Sequence, residues 1–379
     1  MSADTDAPIV RDAVLSDGDA VQKLQEDVGI PVRPGLDWPR LWRDNPAWLA
    51  SGQDSRIGWA LESQGEIVGF LGSIPLLYQY GDRTLTAAAA AWFAVRVQYR
   101  GYGLALTSAF FKQDNVDLWL NTTANESSGK IFHAFHAHPV PQEGYTTAYF
   151  WVLQAHPFLK SAIRKVTRRE GIARIGGALA SPLLWADTAI RRRKPSLGNS
   201  RRSSTAVDIG LMDVPDLDEE FDELWTRKLT ESKRLLALRT SEMLRWHFDR
   251  SETDEKIKVL CARQDGRLIG YAITAREHLI DLDLIRTRIV DIFVEQDDPE
   301  IVDRLLLAAH EHATQDGSHV LEVIGFPNNI RERFLPGKPY TRSLPNCTYF
   351  YRVLDEGLEK DLEGSEVWYA SLFDGDASL

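Results

Sequence analysis

The stretch Ala94-Val95-Arg96-Val97-Gln98-Tyr99-Arg100-Gly101-Tyr102-Gly103-Leu104-Ala105 decides how this chain is read. An apolar, β-rich run enters it. A helical pattern with apolar residues at Leu104, Ala105, Ala109 and Phe110 leaves it. Two glycines sit at the junction. Such a strand-to-helix turn leaves backbone N–H groups without intrahelical partners, pointing along the helix axis. Glycine permits unusual backbone angles and lets a ligand approach the main chain closely. Successive amides there make a seat for a pyrophosphate, and Arg100 adds positive charge.

Around this junction, residues 9–14 predict a strand, and Ser16-Asp17-Gly18-Asp19 caps a helix running to about Val28. Residues 37–50 predict another helix. Two strands, 57–62 and 66–78, meet at the turn Ser63-Gln64-Gly65. Residues 84–97 predict a long strand rich in alanine. After the glycine turn come a helix to about Gln113, a strand over 116–121, a helix over 127–137 and a strand over 146–154. The same order of parts returns later. Strands 256–262 and 267–275 pair around Gln264-Asp265-Gly266, followed by a strand over 286–295. Asp298 and Pro299 open a helix that Gly317 stops, and strands follow over 319–324 and 348–353. The pattern predicts an α/β chain of the mixed-sheet α+β kind. Two domains, 1–154 and 205–354, are joined by a connector over 155–204, and an acidic tail over 355–379 ends the chain.

The junction resembles the coenzyme A-binding motif of the GCN5-related N-acetyltransferase (GNAT) superfamily, Gln/Arg-x-x-Gly-x-Gly/Ala, matched by Gln98, Gly101 and Gly103. Asn125, Ser128 and Ile131 fit the places of a later family motif, Asn-x-x-Ala-x-x-Leu-Tyr. The layout is similar to tandem-domain acyltransferases. The resemblance implies acyl-CoA as co-substrate, its pantetheine on the backbone of Phe93, Ala94 and Val95. Gln98, Tyr99, Arg100, Gly101, Tyr102 and Gly103 then hold the pyrophosphate, with Asn125 and Phe132 beside the pantetheine arm. It implies acyl transfer from acyl-CoA or an acyl carrier protein to an amine of a sugar or small metabolite.

The match is incomplete. Phe132 stands where many members carry a tyrosine general acid, and residues 84–97 contain no Asp or Glu to act as base. His133, His136 and Asn121 are the candidate catalytic groups that the sequence offers nearby, with His138 just beyond. His133 and His136, three apart, share a helix face. A non-catalytic binding protein with a degenerate fold is the rival from another class. Aminoacyl-tRNA-dependent transferases also use tandem domains of this type, but no aromatic-plus-basic motif points to nucleic acid. The junction of the second half, Phe293-Val294-Glu295-Gln296-Asp297-Asp298-Pro299-Glu300, has four carboxylates and no glycine, so it repels phosphate.

Charge and composition set the remaining bounds. The 379 residues carry a net charge of −11. Lys160 to Arg202 holds twelve basic and two acidic residues, a local +10 that leaves −21 for the rest. Interleaved aliphatic residues make 160–202 a candidate surface for an acyl carrier protein or an anionic membrane, or else a hairpin paired with the chain's own acids. Two cysteines, Cys261 and Cys347, exclude a disulfide framework and suggest no metal site. The acidic start lacks a signal-peptide pattern, and no apolar run is long enough to span a bilayer. A cytoplasmic protein is expected.

Overall fold

Two mixed sheets form, and each takes in the last strand of the opposite half of the chain. The computed structural model describes residues 7–30, 38–50, 56–167, 170–197, 206–248, 256–344 and 347–379. In the first half, β1 (Ile9–Ala13) and α1 (Gly18–Val28) are followed by the short helices α2 (Arg40–Arg43) and α3 (Pro46–Ala50). Pro46 divides the single helix expected over 37–50, because it cannot supply an N–H inside a helix. Then come β2 (Gly58–Ser63), β3 (Glu66–Tyr80), β4 (Arg83–Val95), α4 (Gly103–Phe111), β5 (Leu118–Ala124), α5 (Glu126–Ala134), β6 (His138–Pro139) and β7 (Thr147–Val152). The connector is a helical hairpin, α6 (Ala155–Thr167) and α7 (Glu170–Ile190). The second half runs β8 (Val207–Met212), α8 (Glu219–Leu229), β9 (Leu235–Ala237), α9 (Ser241–Phe248), β10 (Lys256–Gln264), β11 (Arg267–Leu279), β12 (Leu284–Val294), α10 (Pro299–Gln315), β13 (Val320–Ile324), α11 (Asn328–Arg331), β14 (Tyr340–Ser343), β15 (Thr348–Val353) and α12 (Glu356–Leu362).

The first sheet has the order β1-β2-β3-β4-β5-β15-β6, with β9 beside the far end of β3; the second has β14-β7-β13-β12-β11-β10-β8. Strand β7 thus lies antiparallel to β13 (Val152 opposite Val320), and β15 lies antiparallel to β5 (Val353 opposite Leu118). Sheet membership therefore does not follow the sequence division at 154 and 205. Both predicted hairpin turns form. Gln64-Gly65 and Asp265-Gly266 adopt the left-handed φ values (53°, 77° and 52°, 81°) that a two-residue turn between twisted strands requires.

The alanine run Ala87–Ala91 is wholly buried in the centre of the first sheet, and its residues alternate between two cores. Alanine is a poor strand former. Its small side chain here makes room for large aromatic neighbours, among them a cluster of Trp38, Trp42 and Trp92 with ring centroids 4.9–5.8 Å apart. The acidic residues 355–379, expected as a tail, pack into the fold. Trp368, Tyr369, Phe373 and Leu379 are buried in the core shared by the two sheets. Aromatic burial there outweighs the tail's charge.

The basic connector is partly spent inside the chain. Asp187 pairs with Arg191 at 2.6 Å and with Arg193 at 2.8 Å, Arg193 stacks on Tyr340, and Lys160 pairs with Asp283 at 3.0 Å. Arg193 on Tyr340 and Lys160 on Asp283 fasten the hairpin to the second half, the Asp187 pairs close within the connector, and the expected anionic partner loses these residues as contacts. No helix among the described residues is long and apolar enough to cross a membrane.

Candidate active site

The site begins where two neighbouring strands part. Strands β4 and β5 pair in parallel over three positions only: Ala87 with Leu118, Ala88 with Trp119, and Ala89 with Leu120. Beyond them β4 stays on β3 and β5 stays on β15, where Asn121 pairs with Phe350 and Thr348 with Ala124. A bulge in β4 drives the separation. Gly72 opposes Ala91 but Phe70 opposes Ala94, and Trp92 between them has φ 51°. A left-handed bulky residue is strained. Packing of the Trp92 ring against Trp38 and Trp42 holds it there. The result is a wedge with main-chain groups of β4 along one wall, open to an extended ligand that adds as a strand.

At the wide end of the wedge the chain makes a 3-10 turn, Val97–Tyr102, and enters α4. The glycines serve space rather than backbone freedom. Gly103 has ordinary helical angles (φ −56°, ψ −33°), and Gly101 is not among the residues with positive φ. A Cβ on Gly101 would meet nothing within 4 Å, whereas one on Gly103 would lie 3.3 Å from the Phe93 ring. Gly101 keeps the helix N-terminus clear, and Gly103 lets α4 sit on Phe93. First-turn amides of a helix carry partial positive charge. Arg100 is exposed and makes no ion pair with another described residue, while Arg96 is committed to Asp27 and Glu66, each at 2.8 Å. Gln98 and Tyr102 are exposed, Tyr99 is half-buried with its hydroxyl 3.3 Å from Ser63, and Phe93, Ala94 and Val95 line the free stretch of β4.

Several candidates from sequence are used structurally. Asn125 is the N-cap of α5. Its Oδ1 accepts from the Ser127 and Ser128 amides at 2.9 and 3.0 Å, and Ser128 Oγ accepts from the Asn125 amide at 3.0 Å. The Asn-x-x-Ser match is thus a capping box. Phe132 is 1% exposed and packs against Phe110 and Phe111, so it offers no face to a cofactor. His133 and His136 are both exposed but do not share a helix face: α5 ends at Ala134, and His136 lies in a left-handed turn with φ 61°. His138 pairs with Glu359 at 3.3 Å. Asn121 is buried on β5, and its Oδ1 accepts from the Thr123 amide at 3.3 Å.

The corresponding wedge of the second sheet is filled by the chain itself. Strand β12 pairs with β13 only from Arg286–Val320 to Ile289–Val323. Past that point the Tyr369 hydroxyl donates to the Ile292 carbonyl at 2.6 Å, the Phe326 amide donates to the Ala370 carbonyl at 2.9 Å, and Gly325 bridges to Ser371. At its helix junction, Asp298 accepts from the Glu300 and Ile301 amides at 2.8 and 3.4 Å. A carboxylate therefore occupies the place where the first sheet presents a clear helix N-terminus. Asp297 next to it is held below its ordinary range by Lys228 and Arg234, against the opposing effect of burial.

The segment that fills the second wedge also builds a buried polar network that sequence reasoning missed. Arg239 and Asp291 are 0% exposed and pair at 2.9 Å. Asp291 also accepts from Tyr271 (3.2 Å) and Ser371 (3.1 Å). Asp374 accepts from the Ser371 amide at 2.7 Å and from the Tyr78 hydroxyl at 3.0 Å. Burial pushes its carboxyl up to about 6, although Arg239 and the Ser371 amide oppose this. Asp376 accepts from the Thr122 hydroxyl at 2.7 Å and from Thr123 at 3.2 Å.

The overall fold, with its two mixed sheets, is similar to that of solved structures. The fold is that of the GCN5-related N-acetyltransferases. A GCN5-related N-acetyltransferase from Kribbella flavida superposes with a TM-score of 0.56 at 14% identity, over 94% of this chain and 73% of that one. A protein from Enterococcus faecalis described as a probable N-acyltransferase gives 0.56 at 10% identity, over 92% and 72%. Saccharomyces cerevisiae N-myristoyltransferase, solved with bound myristoyl-CoA, gives 0.55 at 11% identity, over 92% and 83%. At these identities the likeness speaks for the fold. No protein-family model and no curated protein matches the sequence.

Proposed function

We propose that the chain is an N-acyltransferase that takes an acyl group from acyl-CoA and delivers it to an amine of a sugar or other small metabolite. The observation that carries the reading is the open wedge between β4 and β5, bulged at Trp92 and ending at the cleared N-terminus of α4. The free edge of β4 from Phe93 to Val95 suits the amides of pantetheine. The α4 amides with Gly101 and Arg100 suit its pyrophosphate. The thioester then falls near the Trp92 bulge, facing Asn121–Thr123 of β5. One CoA binds per chain, because Tyr369–Ser371 and Asp298 take the equivalent places in the second sheet. Acidic side chains at the acceptor end, Asp376 first among them, suit an ammonium group.

Calorimetry with CoA tests the donor site. The expected result is one site per chain. Gly101→Glu, which adds bulk and negative charge where a Cβ meets open space, is expected to remove binding while leaving the thermal midpoint unchanged. Unaltered affinity in that folded variant refutes the assignment. Release of free thiol from acetyl-CoA in the presence of primary amines then tests transfer.

A further inference from the structure

Acylation of an amine at neutral pH begins with an ammonium ion, so a group must take its proton before nitrogen can attack. No residue of β4 from Arg83 to Val95 is acidic, and Phe132 has no proton to exchange. The structure supplies an acid from another direction. The parallel register of β4 and β5, continued two and three places past its last pair at Ala89 and Leu120, sets Thr122 and Thr123 level with Ala91 and Trp92, the bulge. Asp376 is bonded to both threonine hydroxyls, at 2.7 and 3.2 Å. Its carboxylate therefore lies on the β5 side of the wedge, level with the strained residue beside which the proposed donor would place its thioester. Unlike Asp374 it is only half-buried, so a substrate can reach it.

The placement is built rather than incidental. The Asp376 amide donates to Thr122 Oγ1 at 3.3 Å. Gly375 has φ 62°, and a Cβ on it would come within 2.5 Å of Thr122, so only glycine lets the segment lie flush on β5. The segment is anchored on both sides, by Asp374 on Tyr78 and by Ser378, 2.8 Å from His247. A second observation points to a ligand here. The Tyr145 hydroxyl is buried, the residue being 4% exposed, and has no hydrogen-bond partner among the described residues. It lies within electrostatic reach of Asp374, Asp376 and Cys347, and burial together with those carboxylates keeps its proton in place. An unpaired buried hydroxyl is costly, and a bound polar group would satisfy it.

We infer that Asp376 is the proton-accepting catalytic residue of the acyl-transfer site, delivered to the first sheet by the C-terminal segment. The inference rests on the acyl-transfer reading above. Asp376 takes one proton from the ammonium and passes it to water. The nitrogen lone pair forms the N–C bond at the thioester carbonyl carbon, and the C–S bond breaks. The second proton lost by nitrogen goes to the departing thiolate, giving an amide and free CoA thiol.

The test uses the full chain, acetyl-CoA as donor and methylamine in large excess as acceptor, with thiol release as the readout and CoA calorimetry as control. Asp376→Asn is expected to keep CoA affinity within about twofold and to lower kcat by about 100-fold, the low end for loss of a general base. Asp376→Glu is expected to recover a substantial part of that loss. An unchanged kcat in Asp376→Asn overturns the inference, and so does a loss expressed mainly as weaker CoA binding, which marks a structural role. If the native chain binds CoA but releases no thiol with methylamine, the catalytic role of Asp376 falls while the donor site stands. If the native chain does not bind CoA, the acyl-transfer reading itself fails and takes the inference with it.

Discussion

Gly375→Ala isolates the contact that lays the C-terminal segment on β5. Two costs follow from the structure. An alanine held at φ 62° is left-handed, which costs about 1–2 kcal/mol for a residue with a Cβ. Its Cβ would also stand 2.5 Å from Thr122 Cγ2 and 2.7 Å from Thr122 Oγ1, well inside contact distance. Relieving such overlap in a packed region costs about 1–3 kcal/mol. The sum is about 2–5 kcal/mol. Thr122→Ala removes both clashing atoms and leaves the Thr122 Cβ at 3.2 Å. By itself it loses two hydrogen bonds to Asp376, one to its carboxylate and one from its amide, together worth about 1–2 kcal/mol. In the double variant the steric part vanishes and the backbone part stays, so a double-mutant cycle returns a coupling of about 1–3 kcal/mol. Urea unfolding followed by the fluorescence of the 11 tryptophans measures it. A cost below about 0.5 kcal/mol for Gly375→Ala, within the range of an ordinary surface substitution, refutes the reasoning. The same holds for a cost that is undiminished when residue 122 is alanine.

The remaining predictions concern charge. Arg239→Met strands the Asp291 carboxylate, 0% exposed, beside Tyr271 and Ser371, and should cost about 3–5 kcal/mol in urea unfolding; adding Asp291→Asn should restore part of it, and a loss under about 1 kcal/mol contradicts the burial argument. Asp374, with its folded pKa raised to about 6, binds a proton in the native state that the unfolded chain has already lost between about pH 4 and 6. Its contribution to stability is therefore full below that window and falls as pH rises through it, by on the order of 3 kcal/mol. Compared with the native protein, Asp374→Asn should gain stability between pH 4 and 7, and a difference independent of pH argues against a buried, reluctant carboxylate. For Gly101→Glu, a loss of CoA affinity of tenfold or more is expected, corresponding to about 1.4 kcal/mol.

Local chemistry was legible in the sequence. Gln64-Gly65 and Asp265-Gly266 announced their hairpins because few residues tolerate left-handed backbone, and Asp298-Pro299 announced a helix start. The strand, glycines and helix of the proposed donor site could be read because each obeys a short-range rule. The glycine mechanism could not: Gly101 and Gly103 are there for clearance, which depends on Phe93 and on open solvent rather than on φ. The strand exchange was also hidden. Alternating apolar residues in 147–152 and 348–353 fix which face is buried but not which sheet accepts the strand. The acids of residues 355–379 suggested a tail, although Trp368, Tyr369 and Phe373 were the signal that the segment is core. Asp376 escaped because its partners, Thr122 and Thr123, lie more than 250 positions away.

These hidden features form one device. The segment from Trp368 to Ser378 first fills the second wedge through Tyr369 and Ala370, then crosses to β5 and sets Asp376 on Thr122. A second sheet that bound its own CoA would have to expel Tyr369 from Ile292 and so disturb the segment that carries Asp376. The plugged wedge and the delivered carboxylate are therefore alternatives to a second donor site, not additions to it. On the proposed function, the second half is the scaffold that presents the acid which β4 lacks. The buried Arg239–Asp291 pair, bonded to Ser371, ties that scaffold to the segment. Weakening the pair should therefore lower acyl transfer before it lowers CoA affinity, since the proposed donor wedge lies wholly between β4 and β5. Thiol release and CoA calorimetry on Arg239→Lys, which keeps the charge but not the forked geometry, separate the two. Equal loss of both would mean that the halves do not divide the work in this way.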